Sequence, residues 1–197
     1  MERKLNSNFL IISGSGKKVG KTFLSVALIE HFSNVTPVIA LKISPHKHDK
    51  LGNVLTISDT DGYRIFREFE VHDKNSGQFL GAGAKESYFL ESEDGSLSNA
   101  IEEFSRKCNP MNLPVICESG ALGKIIKPGI LFYIASPDNQ FDEYKESIKK
   151  LADVILPAKL FSAPEVVGNI QLIGNRWICF TSLLPERKGV IRDKNAD

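Results

Sequence analysis

Residues Ile11–Ser25 read "IISGSGKKVGKTFLS", three glycines and three lysines set between two apolar runs. "NFLII", Asn8 to Ile12, enters the stretch as a short buried strand. From Lys21 onward, "KTFLSVALIEHF" places Phe23, Leu24, Ala27, Leu28 and Phe32 at helical spacing, with Val26 and Ile29 widening the stripe. The spacing predicts strand, glycine-rich loop and helix, in that order. In that order backbone N–H groups curl around an anion at a helix N-terminus.

Gly20-Lys21-Thr22 matches the end of the phosphate-loop pattern, in which Gly and four residues precede Gly-Lys-Ser/Thr. Here the run is Gly14, five residues, then Gly-Lys-Thr. A run of backbone amides still binds the anion, so the chemistry survives the extra residue. The candidate nucleotide-binding residues are Gly14, Ser15, Gly16, Lys17, Lys18, Val19, Gly20, Lys21, Thr22 and Phe23. Lys21 is expected on the β- and γ-phosphates and the Thr22 hydroxyl on Mg²⁺. The plain alternative is an ordinary glycine-rich turn, against which stands a Gly-Lys-Thr that opens a strongly periodic helix.

The chain has 197 residues, 42% hydrophobic and 25% charged, which suits one globular domain. A single nucleotide-binding domain is expected over 1–184, with a polar, frayed tail over 185–197. With 25 basic against 24 acidic residues, the formal charge of +1 gives no global field for nucleic acid or an anionic membrane. No apolar run approaches the roughly 20 residues of a membrane span, and "MERKLNSN" lacks a secretory h-region, so a cytoplasmic protein is expected. Cys108, Cys117 and Cys179 form no close pair and are read as reduced, mostly buried thiols.

Further along, "PVIALKI", "AKESYFLES", "LPVICES", "GILFYIAS" and "VILPA" read as strands. "SLSNAIEEFSRKC", capped by Ser96, and "QFDEYKESIKKLADV" read as amphipathic helices, and "DTDGYRIFREFE" as a short helix capped by Asp59 and Asp61. "NIQLIGNRWICF" reads as a hairpin turning at Gly174-Asn175. The fold class that follows is α/β, with a mostly parallel sheet, helices on both faces and a small C-terminal hairpin. Ligands in such sheets bind outside the carboxyl ends of the strands.

Other candidates sit at those ends. Glu118 closes "LPVICE", where a metal-supporting carboxylate belongs, and Lys42 closes the second strand, where a cation faces a ligand or simply snorkels. Lys21, Lys42 and Glu118 form the candidate catalytic set, and Thr22, Asp61 and Glu118 the candidate Mg²⁺ set. His46, His48 and Asp49 read as a solvated polar loop in preference to a metal site.

With these residues in place, Met1 to about Ala135 resembles the MobB-type molybdopterin-guanine dinucleotide biosynthesis proteins, P-loop adaptors of molybdenum cofactor assembly. "VIALKISPHKHD" matches that family's strand, terminal lysine and His/Asp-rich loop. "KNSGQFLGAGA", Lys74 to Ala84, matches its Lys-Asp-Ser/Thr and Ala-Gly-Ala at the family's spacing. Asn75 stands for the family's Asp, and Ser119 for the Gly after the strand-end Glu. The loop and "ESGALG" are also similar to dethiobiotin synthetase, which has Gly, five residues ending in Val, Gly-Lys-Thr, and a Glu-Gly-Ala-Gly-Gly turn.

Both resemblances imply a three-layer P-loop NTPase fold and a homodimer. The first implies a weak NTPase acting as an adaptor toward a molybdenum cofactor biosynthesis protein. The second implies an ATP-dependent ligase or small-molecule kinase with a small-molecule second substrate, and a degenerate nucleotide binder is a third reading. ATP and GTP stay open: the resemblance implies a base pocket from late loops, for which "LPAKLFSAPEVVGN", Leu156 to Asn169, is the place, but no Asn-Lys-x-Asp guanine motif is present.

Overall fold

The computed structural model describes residues 3–47, 53–109, 111–137 and 142–180. Its elements are β1 (Lys4–Gly14), α1 (Lys21–Ser33), β2 (Ile39–Ser44), β3 (Val54–Asp59), β4 (Tyr63–Glu68), α2 (Asn75–Gly81), β5 (Glu86–Ser92), α3 (Leu97–Lys107), β6 (Val115–Glu118), β7 (Ile126–Ala135), α4 (Glu143–Lys149), β8 (Val154–Pro157), α5 (Ala163–Gly168), β9 (Ile170–Ile173) and β10 (Arg176–Cys179). Eight strands form one sheet in the order β3-β4-β5-β2-β6-β1-β7-β8. The strands from β5 to β8 pair in parallel, whereas β4 runs antiparallel to β5 and β3 antiparallel to β4.

Strand side chains alternate between two cores. Leu10, Ile12, Ala40, Ile116, Ile130, Phe132 and Ile134 pack with Leu24, Leu28 and Phe32 of α1, Phe79 of α2 and Val166 of α5. Phe9, Ile11, Ile39, Leu41, Val115, Cys117 and Leu131 pack with Leu97, Ile101 and Phe104 of α3 on the other face. A period of two with both sets apolar gives continuous hydrophobic runs, because a sheet covered on both sides has no polar face to spare. The mostly parallel α/β architecture read from the sequence is therefore present. Among the described residues, no helix is long and apolar enough to cross a membrane.

β9 and β10 form the separate hairpin, and both turn residues have positive φ, Gly174 at 52° and Asn175 at 62°. These are the angles a tight two-residue turn requires. Trp177 of β10 is 2% exposed, donates its indole N–H to the Asn8 carbonyl at 2.8 Å and meets Phe32 edge-on at 4.8 Å. The hairpin thus caps the core between α1 and the start of β1. Cys108, Cys117 and Cys179 are free, the first two buried.

One expected element is corrected. The Asp59–Glu70 segment is not a helix: Thr60, Asp61 and Gly62 turn β3 into β4, and the Thr60 amide closes the turn on the Tyr63 carbonyl at 3.0 Å. Ile65 and Phe66 then pair with Leu90 and Phe89 of β5. Aromatic and β-branched residues beside an open pairing edge favour strand over helix. Ser96 precedes α3 as expected, but its side chain makes no capping bond. His48, Asp49 and the expected tail over 185–197 lie outside the described residues.

Trp177→Ala removes a buried ring and its hydrogen bond together. It should cost about 3–5 kcal/mol, measured by urea unfolding followed by circular dichroism, and Trp177→Phe should cost less.

Candidate functional site

β1 ends in a loop that the packing defines closely. The Ser15 amide donates to the Ile134 carbonyl at 2.9 Å, and the Ser15 hydroxyl accepts from the Ser136 amide at 2.9 Å, tying the loop to the end of β7. A Cβ on Gly14 would lie 2.8 Å from the Ile134 oxygen, so only glycine fits there. Val19 is buried in the α1-side core, and Lys17 and Lys18 beside it are exposed. Lys18 has φ of 59°, a left-handed conformation that a non-glycine residue seldom adopts. Gly20 has φ of 109°, again glycine territory, and launches α1.

α1 starts with neither a side-chain cap nor an acid in its first turn. Its first amide N–H groups and the positive end of its dipole are left to an external anion. Lys21 folds back over the loop and donates to the Gly16 carbonyl. Burial pushes the Lys21 ammonium below its ordinary pKa; Glu118 opposes that, while Lys42 and Lys145 add to it.

Behind the loop stands Glu118 at the end of β6, 3% exposed. Strand register sets Lys42 of β2 directly beside it, and the two form an ion pair at 2.6 Å. The Thr22 hydroxyl donates to the other carboxylate oxygen at 2.8 Å. Asn75, at the start of α2, donates its amide to that same oxygen at 3.0 Å and to the Thr22 hydroxyl at 3.1 Å. Four separate elements therefore converge on one carboxylate. Thr22, Lys42 and Glu118 are brought together as expected, with Lys21 electrostatically coupled to Glu118.

Asp61 is not brought there. It is exposed in the β3–β4 turn, where its carbonyl accepts from Lys47 at 3.3 Å. The hairpin that replaces the expected helix carries it to the outer strands, beyond β5. Among the described residues, no group of three or more His, Cys, Asp or Glu gathers as a metal cage. The Thr22 and Glu118 oxygens suit Mg²⁺ nonetheless, since that ion is held by one or two protein oxygens together with phosphates and water.

Ser119, where both resembled families carry glycine, has a structural use. Its hydroxyl accepts from the Ala121 and Leu122 amides at 3.2 and 3.0 Å, pinning the turn after β6. Asn75 lies outside the sequence-based site, and Phe161 falls in the late segment Leu156–Asn169 that the sequence offers for a base pocket. Asn75 stood out only as a departure from a family pattern. Phe161, after β8, packs its ring over Gly20 and lies 6.2 Å from the exposed Phe23 ring. Its only sequence signal was its place in a loop after a late strand.

No family model, no curated protein and no solved structure gives a significant match to this chain.

A buried ammonium costs stability. Folding lowers the Lys21 pKa, so the penalty is full below the folded value and fades as pH rises toward the unfolded one. Lys21→Met should therefore melt no lower than wild type at neutral pH, with the gap closing as pH climbs toward 10.5, the ordinary lysine value. A melting temperature several degrees below wild type would show that the bond to Gly16 outweighs desolvation.

Proposed function

We propose that this chain is a phosphate-loop protein that binds ATP or GTP with Mg²⁺ and acts as a MobB-like weak NTPase and adaptor in molybdenum cofactor assembly. The observation that carries the nucleotide reading is the uncapped, acid-free N-terminus of α1, set behind a glycine-pinned loop with Thr22 and Glu118 in contact at 2.8 Å. The adaptor reading is favoured by the spacing of Lys74, Ser76 and Ala82-Gly83-Ala84. That segment, which resembles the MobB family, places the Asn75 side chain on Thr22 and Glu118 themselves.

The roles follow from the geometry. Backbone N–H groups from Gly16 to Lys21 cradle the phosphates, and Lys21 exchanges the Gly16 carbonyl for β- and γ-phosphate oxygens. Thr22 and Glu118 hold Mg²⁺, which supplies neutralisation of charge on the phosphate oxygens. Lys42 is held at the strand end by Glu118 and presents a second cation to the terminal phosphate. Phe161 and Phe23 offer a face on which a base of either kind can stack, since every base has a π-face. In this reading the protein is a homodimer whose partner is a molybdenum cofactor biosynthesis protein.

A thermal-shift titration of ATP, GTP and their Mg²⁺ complexes tests the site. A nucleotide at 100 times its Kd should stabilise wild type by about 2.7 kcal/mol, and Lys21→Ala should lose the shift while remaining folded. Unchanged affinity in Lys21→Ala would sink the phosphate-loop assignment. Phe161→Ala should weaken both nucleotides alike by about 1 kcal/mol or more; loss confined to one base would replace stacking with base-edge recognition.

A further inference from the structure

A cavity of about 230 Å³ opens beside the loop, bounded by Gly14, Ile43, Asp94, Ser119, Tyr144 and Lys145 among others. Gly14 is also the first residue of the loop, and Ser119 follows Glu118 directly. The walls come from the carboxyl ends of β1, β2, β5 and β6 together with α4, the crevice in which open α/β sheets take ligands. None of Thr22, Lys42, Glu118 and Asn75 lines it. On β2 and β6, Ile43 and Cys117 face the α3-side core. Lys42 and Glu118 alternate with them on the opposite face, so this is a separate compartment.

Its walls are mostly apolar, formed by Ile43, Pro45, Leu97, Ala121 and the Tyr144 ring. Asp94 also lines it, as an exposed carboxylate near Tyr144, whose hydroxyl is held above its ordinary pKa first by burial and then by that negative charge. Lys124 lies 4.1 Å above the Tyr144 ring, a second cation behind that wall. Lys145 lines the cavity directly, and its ion pair with Asp142 at 3.1 Å is exposed on both sides, a pairing of the kind that water and salt weaken. Lys145 is thus available to exchange that partner for an anion in the cavity. Lys145 and Asp94 are the charged side chains of the lining, and Lys124 adds a second positive charge behind the Tyr144 ring.

We infer that this cavity binds a small organic acid, its carboxylate on Lys145 and a short apolar body against Ile43, Leu97, Ala121 and Tyr144, beside the bound phosphates. The inference rests on the phosphate-loop reading and adds to it the class of second ligand. The volume equals about eight waters, which limits the body to a short chain or a single ring. Lys145 serves both compartments, because its charge also acts on Lys21. An acid in the cavity would screen that repulsion.

The test is saturation-transfer NMR with acetate, pentanoate, benzoate and phenylacetate, against pentanamide, pentylamine and benzylamine as uncharged and cationic controls. At least one of the larger acids should bind in preference to its controls. That binding should weaken about ten-fold or more in Lys145→Gln and be lost in Ala121→Trp, which fills the cavity. Lys145→Gln alters an exposed side chain and keeps the test valid should Ala121→Trp fail to fold. No binding by any acid, equal binding of the amines, or indifference to Lys145→Gln would overturn the inference. The nucleotide titration on the same samples separates the two readings. A nucleotide shift without acid binding overturns the cavity proposal alone, and Lys145-dependent acid binding without a nucleotide shift overturns the loop reading.

Discussion

A carboxylate buried at a strand end organises this protein. Left unpaired, Glu118 would cost several kcal/mol in desolvation, yet it is 3% exposed. The cost is met by an ammonium from β2, a hydroxyl from α1 and an amide from α2. Each of those groups is fixed by a different part of the chain, so satisfying one charge specifies how four elements meet. Lys42 is in place because parallel register sets it opposite Glu118. Thr22 is in place because Gly20 turns the loop into α1 one residue before Lys21. Asn75 is in place because α2 begins there.

The same arrangement creates a surplus of positive charge. Loop and helix start, Gly14 to Phe23, carry Lys17, Lys18 and Lys21 with no acid, although the whole chain is nearly neutral at +1. Glu118 offsets one of Lys21 and Lys42, and α1 adds the positive end of its dipole without a cap to quench it. Burial is the main reason that the Lys21 pKa is lowered; Glu118 opposes it, and Lys42 and Lys145 add to it. A site that holds its cations at the expense of their hydration is poised for an anion, and a chain of phosphates would relieve Lys21, the helix terminus and Lys42 together.

Much of this was legible in the sequence where local rules and fold rules agree. Gly14 to Thr22 is a contiguous motif whose helix is strongly periodic. Lys42 and Glu118 are strand-end residues, and topology alone brings strand ends together. Legibility failed where partners are distant or local signals conflict. Asp59 and Asp61 looked like helix caps, and only the free edge of β5 makes Tyr63–Glu68 a strand. That error also misplaced Asp61, since a cap near the sheet centre and a turn at its edge are far apart. Asn75 lies in a seven-residue helix of weak pattern, NSGQFLG, whose position depends on packing Phe79 into the core. Phe161 acquires meaning only when β8 sets it over Gly20.

The departures from the resembled families bear on how the site is tuned. An aspartate at 75 would set a second carboxylate against Glu118, and like charges at hydrogen-bond range force one of them to keep a proton or to recruit a cation. Asn75 avoids that conflict and donates to Glu118 alongside Lys42 and Thr22. Ser119 acts in a similar way after β6. It trades a glycine's freedom for two hydrogen bonds that fix the turn. Both residues tie the site by hydrogen bonds made before any ligand arrives, so less of a ligand's binding energy goes to ordering it. Glu118 is one carboxylate facing Lys42 and the Lys21 charge, so an anionic ligand would supply the counter-charge that the protein does not.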